Sequence, residues 1–381
     1  MSKRVLIYGR GNGLGHLRRT RNIALAMLDQ EPDCSILIIA DERSTPFFSP
    51  VKGIDYLKLP GAYQDKSYQW RGTTLDYDRA EFFKLRAALI LRTFDEFQPD
   101  AVLVDCFPVG PGGDLKPMLD RAAHRNSPPR LYFGLRDIMD LSEVTRQGWA
   151  GLGAYEYFWH YDGVLIHGCQ DIFDTDSYYR LSSVFRKVIF CNYVAPPLGE
   201  VPEELAIDES TLLVMGGSGL RAFPMEVIFA EAWADIRAAI PLQALLLTGP
   251  NMARKDREAI AARSARYPYQ ILEYTKDATP LIRQAAVVVS LGGYNSLVEI
   301  LQWGKKALVV PKEEIVMEQD LRAEVFAERG LVQLLPRVDL KSESLARELV
   351  RLYHADDVPN PANLPSFDGA QRVARVLLGK V

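Results

Sequence analysis

Short apolar runs alternate with amphipathic stretches along most of this chain. The runs have the length and composition of strands that are buried on both faces of a parallel sheet. The stretches between them, such as RTRNIALAMLDQ and RAEFFKLRAALILRTFDEF, repeat apolar residues at helical spacing. This alternation predicts an α/β fold of the doubly wound type. In the first half of the chain the predicted strands are 5–8, 35–40, 101–104, 131–133, 164–167 and 188–191.

The same alternation restarts after an interruption that is rich in proline and acidic residues. Segment 196–209 has the composition of a linker. We therefore predict two Rossmann-like domains, 1–195 and 210–365, that face each other across a cleft, and a C-terminal helix, 366–381, that could pack back on the first domain. In the second half of the chain the predicted strands are 212–215, 244–248, 269–274, 286–291 and 307–310.

Composition and charge exclude several classes of protein. The chain has 381 residues, of which 48% are hydrophobic, and its net charge of −4 gives no general attraction to nucleic acid. Because no signal peptide or membrane-spanning run is visible, we expect a cytoplasmic protein without an integral membrane segment, with peripheral membrane contact left open. The four cysteines are widely spaced in apolar runs, which predicts reduced core thiols rather than disulfides or a zinc site.

A glycine-rich loop, GRGNGLGH at 9–16, follows the first predicted strand. Its glycine spacing matches neither the dinucleotide fingerprint nor the phosphate loop of nucleotide hydrolases. His16 closes the loop at the start of a helix, where its imidazole can face a cleft and act in catalysis, or can simply cap or pack the helix. The next residues include Arg18, Arg19 and Arg21, which either attract an anionic acceptor or form a solvated helix face.

Two further glycine loops lie in the second half. In MGGSG the glycines Gly216, Gly217 and Gly219 are expected to leave backbone N–H groups open, and Ser218 offers a hydroxyl, as in an anion-binding nest. Glycine turns of this kind are more often structural than functional. Their order along the chain therefore carries more weight than any one of them.

The second of these loops is GGYNSLVEIL, in which Gly292 and Gly293 open a helix. The N-terminal amides and dipole of that helix can hold a diphosphate. Asn295 and Glu299 lie four residues apart, hence on one face of the helix. A carboxylate one turn below bound phosphates is placed to accept hydrogen bonds from ribose hydroxyls.

The order of these motifs resembles that of the GT-B glycosyltransferases. It is most similar to the MurG-like group that uses UDP-N-acetylglucosamine, and within it to a branch of predicted bacterial glycosyltransferases with GLGH near the N-terminus and GGYN near the C-terminus. The similarity is strongest over 1–30 and 270–330, whereas about 60–100 and 140–200 match nothing that we can place. The resemblance implies that the first domain binds the acceptor and the second the nucleotide sugar.

The resemblance also assigns roles to individual residues. It implies that His16 is catalytic and that Glu299 binds the ribose. Asp320 stands where the family has a second glutamine, which leaves the donor sugar open. The remaining roles are donor diphosphate for Gly217, Ser218, Gly219, Gly292, Gly293 and Asn295, nucleotide base for Tyr274 and Thr275, donor sugar for Gln319 and Asp320, and acceptor cleft for Gly13, Gly15, Asp105, Arg136 and Asp137.

The implied reaction is an inverting transfer of a hexose or N-acetylhexosamine from a UDP-sugar, or alternatively a TDP-sugar, to a hydroxyl group. The acceptor could be a small molecule, a glycan or a lipid-linked molecule, and nucleic acid is not expected as a partner. Because helix amides can hold the diphosphate, we expect no metal and no cofactor. Two alternatives stay open: a UDP-sugar 2-epimerase of the same fold, and a catalytically silent GT-B module that binds a partner.

Overall fold

The computed structural model describes residues 2–9, 14–41, 51–65, 69–197, 209–264, 267–312, 316–356 and 358–380. The chain divides into two compact units. The first comprises Met1–Asp137, Leu141–Pro197 and Ser366–Val381, and the second comprises Ile138–Asp140 and Leu198–Pro365. Gly13 and most of the predicted linker lie outside the described residues. The predicted domain boundaries therefore stay a prediction.

Within its described residues, the first unit is built on a parallel sheet with the strand order β3-β2-β1-β6-β7-β8-β9, beside a small antiparallel pair, β4-β5. The strands are β1 Arg4–Gly9, β2 Ser35–Ala40, β3 Ile54–Lys58, β4 Ala62–Gln64, β5 Trp70–Gly72, β6 Ala101–Asp105, β7 Arg130–Arg136, β8 Gly163–His167 and β9 Val188–Phe190. The helices are α1 Leu14–Gln30, α2 Arg79–Phe97, α3 Lys116–Ala123, α4 Ser142–Gly151, α5 Thr175–Tyr179 and the C-terminal α12 Gly369–Leu378.

The core of the first unit lies where α1 and α12 pack on each other over the sheet. Ile23 and Met27 of α1 and Val373 and Leu377 of α12 are fully buried there. Full burial of such a side chain contributes roughly 1.5–3 kcal/mol, so this contact is a large part of what holds α12 in place. The position of α12 also ties the C-terminal end of the chain into the unit that contains β1.

The second unit has a sheet with the order β12-β11-β10-β13-β14-β15, parallel throughout. Its strands are β10 Thr211–Met215, β11 Gln243–Leu247, β12 Gln270–Leu272, β13 Val287–Ser290, β14 Lys306–Val309 and β15 Gln333–Leu334. Its helices are α6 Phe223–Ala239, α7 Arg254–Arg263, α8 Thr279–Gln284, α9 Tyr294–Gln302, α10 Glu318–Glu328 and α11 Ser342–His354.

Helices α6 and α11 pack together over one face of this second sheet. Phe229 and Trp233 of α6 and Leu345 and Leu349 of α11 are buried between the helices and the strands. The amphipathic pattern of each helix thus sets which side meets the sheet. Strands β10 and β13 are buried on both faces, so the groups that a ligand can reach lie in the loops at the strand ends.

Two expectations from composition can be compared with the folded chain. All four cysteines are buried and present as free thiols, which confirms that they are core residues. Among the described residues, no helix has both the length and the apolar character needed to cross a bilayer.

Candidate active site

Four chemically active side chains gather at the carboxyl edge of the first sheet. Because β1, β6, β7 and β8 are parallel neighbours, the segments that follow them meet at one edge. His16 lies in the first turn of α1, directly after β1, while Asp105, Arg136 and His167 are the last residues of β6, β7 and β8. The fold therefore brings together residues that are up to 151 positions apart, from His16 to His167.

His16 and Asp105 form the centre of this cluster. The Nδ1 atom of His16 lies 2.9 Å from Oδ2 of Asp105. The Asp105 side chain is fully buried, whereas that of His16 is 15% exposed. No hydrogen bond joins His16 Nε2 to another of the described residues.

Arg19 binds the same carboxylate from one turn along α1. Its Nε donates to Oδ1 of Asp105 at 3.2 Å, and its Nη2 donates to Oδ2 at 2.5 Å. Arg19 is buried, so the alternative of a solvated helix face is wrong for this residue. Its spacing of three from His16 places both side chains on one side of the helix, which is the signal that the sequence offered.

Arg19 also contacts the ring of His16. Arg19 Nη2 also lies 2.9 Å from His16 Nδ1, so Nη2, Nδ1 and Oδ2 form a nearly equilateral triangle. With a proton on Nδ1 the ring would donate to Asp105, and Nε2 would keep its lone pair.

Burial and neighbouring charges shift the pKa values of Asp105 and His16. Burial opposes ionisation of Asp105, but the Arg19 guanidinium and the hydrogen bond from His16 outweigh it and hold the pKa of that carboxyl well below its usual range. Burial lowers the pKa of His16 to about 4; Asp105 opposes this change, and the positive charge of Arg19 adds to it. The imidazole is therefore neutral at neutral pH, in the form that can accept a proton.

A second histidine stands on the other side of Asp105. His167 is fully buried, and its Nε2 lies 3.7 Å from Oδ1 of Asp105. Gly134 of β7 makes room for this approach, because a Cβ there would lie 2.9 Å from His167 Nε2 and 3.4 Å from Asp105 Oδ1. Burial lowers the pKa of His167. No motif in the sequence marks His167, although it ends a predicted strand as Asp105 does.

The other acceptor-cleft candidates have structural contacts. Arg136 Nη2 lies 3.8 Å from the Sγ atom of Cys106. Asp137 is buried and accepts a hydrogen bond from the Tyr193 hydroxyl at 3.2 Å. Gly15 lies in the first turn of α1. A role in acceptor binding stays a prediction for these residues and for Gly13.

In the second unit, the loop after β10 is shaped by left-handed glycines at Gly217 (φ 60°) and Gly219 (φ 89°). The prediction of open amides is wrong for two of its residues: the Gly216 amide donates to Leu247 at 2.9 Å, and the Gly219 amide donates to Gly216 at 3.0 Å. The amides of Gly217 and Ser218 make no hydrogen bond to any residue that the structure describes. These two N–H groups are the ones available to an anion.

A buried carboxylate lies directly behind this loop. Glu226 of α6 is fully buried, and a Cβ on Gly216 would lie 2.3 Å from its Oε1. Neither carboxylate oxygen has a hydrogen-bond partner among the described residues. Burial raises the pKa of Glu226 to about 8, and the charge of Arg257 opposes the change only weakly. Glu226 is therefore mostly protonated at neutral pH, a residue that the sequence analysis did not single out.

The other predicted diphosphate site is the N-terminus of α9. Gly292 has a left-handed backbone (φ 83°), and its amide donates to the Ser290 hydroxyl at 3.3 Å. Gly293 is the N-cap residue, and no side chain caps the helix. The half-buried Asn295 follows in the first turn. With no capping side chain, the first-turn amides of α9 remain the natural place for an anion.

Glu299, one turn further along α9, is buried, with 3% of its surface exposed. Its Oε2 accepts a hydrogen bond from the Thr279 hydroxyl at 3.3 Å. The amide of Thr279 donates to Oδ1 of Asp277 at 3.0 Å, and the Thr275 hydroxyl donates to the Asp277 carbonyl at 2.9 Å. The predicted base contacts, Thr275 and its neighbour Tyr274, thus belong to a loop that is bonded to the predicted ribose contact.

Gln319 and Asp320 lie in the first turn of α10 but have different surroundings. A Cβ on Gly293 would lie 3.8 Å from Nε2 of Gln319, so this side chain is brought to the glycine turn before α9. Asp320 instead lies 3.5 Å from Nη2 of Arg337. Within the described part of the chain, no cluster of three or more His, Cys, Asp or Glu residues could hold a metal ion.

Known proteins match both halves of this arrangement. The glycosyltransferase family 28 C-terminal domain matches residues 211–373. A UDP-N-acetylglucosamine–N-acetylmuramyl-(pentapeptide) pyrophosphoryl-undecaprenol N-acetylglucosamine transferase from Leuconostoc citreum is 24% identical over 355 residues, 90% of this chain and 87% of the relative. The enzyme of the same name from Rubrobacter xylanophilus is 32% identical over 147 residues, 38% of this chain and 41% of that relative's length.

A solved structure matches over nearly the full length. The crystal structure of Acinetobacter baumannii MurG is 16% identical, with a TM-score of 0.56, and the match covers 98% of this chain and 95% of that one. At this identity the likeness bears on the fold. It agrees with two doubly wound units, each with its own parallel sheet.

Proposed function

We propose that this chain, which resembles the MurG-like group of GT-B glycosyltransferases, transfers a sugar from a UDP-sugar to an acceptor hydroxyl, with inversion at the anomeric carbon. The observation that carries the proposal is the His16–Asp105 contact of 2.9 Å. Asp105 holds the Nδ1 proton, so Nε2 is the nitrogen that takes the proton of the acceptor hydroxyl. In general-base catalysis of this kind, one group accepts the proton and a carboxylate orients that group.

The bond changes follow from that assignment. As His16 Nε2 takes the proton, the acceptor oxygen forms a bond to the anomeric carbon, and the bond from that carbon to the diphosphate breaks with its electron pair going to the leaving oxygen. We assign the diphosphate to the amides of Gly217 and Ser218 and to the first turn of α9, with Asn295. Preorganised N–H groups stabilise such a developing charge without reorganisation.

The remaining donor contacts are proposed from the contacts of the second unit. Glu299 accepts hydrogen bonds from the ribose hydroxyls, and the loop with Tyr274 and Thr275 contacts the base. Gln319 contacts the donor sugar, and Asp320 does so only if it leaves Arg337. Gly219 and Gly292 shape their loops rather than donate, because their amides are already bonded.

The choice of donor and acceptor is guided by the relatives. Their names specify UDP-N-acetylglucosamine as the donor and a lipid-linked muramyl pentapeptide as the acceptor. We therefore take UDP-N-acetylglucosamine as the first donor to test, and a lipid-linked saccharide as the first acceptor. We propose that the diphosphate is held without a divalent metal, since helix amides supply the positive potential.

The test is incubation with UDP-N-acetylglucosamine and a lipid-linked muramyl pentapeptide, with release of UDP as the readout. Replacing the base should lower turnover by about 10²–10⁴-fold in His16→Ala, and nearly as much in His16→Asn, which keeps hydrogen bonding but not basicity. The affinity for UDP should stay within a few-fold, because the donor contacts belong to the second unit. Variants that turn over like the native protein would contradict the assignment, and an epimer formed without UDP release would favour the epimerase alternative.

A further inference from the structure

Arg19 takes no direct part in the reaction proposed above, yet it contacts both members of the His16–Asp105 pair. It is 1% exposed, on the same side of α1 as His16. A buried guanidinium is retained in a protein interior only where its donors are satisfied, and here two of them are bonded to the Asp105 carboxylate. The contact is therefore part of the site rather than of the surface.

We infer that Arg19 is a positioning residue, which pins both oxygens of Asp105 so that the carboxylate accepts the Nδ1 proton of His16 and Nε2 stays free of hydrogen. The inference rests on the proposed function for its catalytic meaning, because it concerns the same histidine. Its structural content is independent of any substrate. It states which nitrogen is protonated and which side chain enforces that choice.

The two-point contact is what gives Arg19 this role. Nε and Nη2 bind one oxygen each, so the plane of the carboxylate is fixed and Oδ2 faces the ring. Asp105 is itself fixed at the end of β6, where the next amide, that of Cys106, donates to Gly134 at 2.8 Å. A lysine at position 19 could bind only as a point charge, and the carboxylate could then rotate.

The positive charge of Arg19 also lowers the pKa of the His16 ring. The groups that face His16 are Arg19 on its own helix, Asp105 on β6 and Arg136 on β7, with His167 of β8 behind Asp105. Asp105 favours a charged imidazole, and the two arginines oppose it. Burial is the main reason that the pKa of His16 is low, and Arg19 adds to it, so Asp105 orients the ring without charging it.

The experiment is nitrogen NMR of protein labelled with ¹⁵N-histidine, which reports both the tautomer and the titration of each ring and needs no donor or acceptor. The five histidines are separated by assigning His16 from the signal that His16→Asn removes. In the native protein we expect His16 protonated at Nδ1 and not at Nε2, without titration above about pH 5. Arg19→Gln should raise the pKa of His16 by about one to three units, the range for loss of an adjacent charge.

Arg18→Gln is the matched control, because it removes the same charge from a position two residues from His16, which does not share its helix face. Its His16 signals should be those of the native protein. If Arg19→Gln fails to fold, as its circular dichroism would reveal, Arg19→Lys decides the question. That variant keeps the charge but not the two-point contact, so the Nδ1–H tautomer should lose population.

Two results would overturn the inference. One is a native His16 protonated at Nε2. The other is a folded Arg19 variant whose His16 tautomer and titration match the native ones. Neither result depends on turnover, so failure of the positioning role is distinguishable from failure of the proposed transfer, which is judged by UDP release from the native protein and its His16 variants.

Discussion

At the scale of the single residue, two buried carboxyl groups, Asp105 in the first unit and Glu226 in the second, differ in their ionisation. Asp105 is buried with Arg19 and two histidines around it, and stays ionised. Glu226 is equally buried but has no hydrogen-bond partner among the described residues, and is held protonated near neutral pH. The difference follows from the neighbours, since desolvation favours the neutral acid unless a cation compensates it.

Glu226 gives a prediction for stability against pH. Its pKa is raised from 4.5 to about 8 on folding, so between these values the folded protein binds a proton that the unfolded chain has lost. The contribution of Glu226 to the free energy of unfolding should therefore fall as pH rises through this window, by up to about 1.4 kcal/mol per pH unit. Glu226→Gln, which cannot ionise, should be spared this loss. Its advantage over the native protein should grow by about 2–4 kcal/mol between pH 4.5 and 7.5, the amount set by that slope.

Urea unfolding at several pH values measures this difference. Glu231→Gln is the control, since Glu231 lies on the same helix but is half exposed and paired with Arg263. Its free energy of unfolding should track that of the native protein at every pH. If the difference between Glu226→Gln and the native protein does not change with pH, Glu226 is ionised in the folded state and this description of the loop is wrong.

At the scale of the element, the strand-end loops of the second unit are packed backbone against backbone. Gly217 and Gly249 both have left-handed φ angles, 60° and 89°. A Cβ on Gly249 would lie 2.5 Å from the Gly217 carbonyl oxygen and from the Gly219 nitrogen, whereas one on Gly217 would have nothing within 4 Å. Gly249 is thus required both by the lack of space for a Cβ and by its backbone conformation, whereas Gly217 is required by its conformation alone.

Replacement by alanine should have unequal effects on stability at Gly217 and Gly249. Gly217→Ala should cost about 1–2 kcal/mol, the strain of a left-handed alanine. Gly249→Ala carries the same strain plus backbone overlap, so it should cost more and displace the loop that holds the Gly217 and Ser218 amides. Thermal unfolding and UDP binding of both variants test this. Equal loss of stability in the two variants would mean that the loops are not packed as described.

Much of this element pattern was predictable. Strands buried on both faces, such as β6 with five buried residues, appear in the sequence as apolar runs, and each predicted strand is present with small changes of its ends. The edge strand β3 was missed because Asp55 and Lys58 are exposed and interrupt its apolar character. The prediction 269–274 was too long, since only Gln270–Leu272 is strand and the rest leads into the predicted base loop.

The site was predictable only in part. His16, Asp105 and Glu299 were selected singly, but the contact of His16 with Asp105 depends on the adjacency of β1 and β6, which the sequence does not specify. Arg19 was left between two surface roles, because a run of arginines gives no sign that one of them is buried. The prediction that the Gly216 and Gly219 amides are open was wrong, because both amides donate hydrogen bonds to backbone carbonyl groups.

At the scale of the whole molecule, the expectation of two doubly wound parallel sheets is confirmed, as is the resemblance to the MurG-like glycosyltransferases. Each unit carries one set of functional groups. The first has the proposed base, His16, and the carboxylate that it contacts, and the second has the glycine loops and the carboxylate proposed for the ribose. We propose that the second unit binds the UDP-sugar and that His16 of the first unit is the base.

Calorimetric titration with UDP, in the presence of a chelator, tests this claim most directly. The native protein should bind one UDP without magnesium, because helix amides hold the diphosphate. Glu299→Ala should weaken binding by about 1.5–3 kcal/mol, roughly tenfold to more than a hundredfold, as for hydrogen bonds to a charged group. Binding that requires magnesium, or equal affinity in the native protein and in Glu299→Ala, would contradict the account.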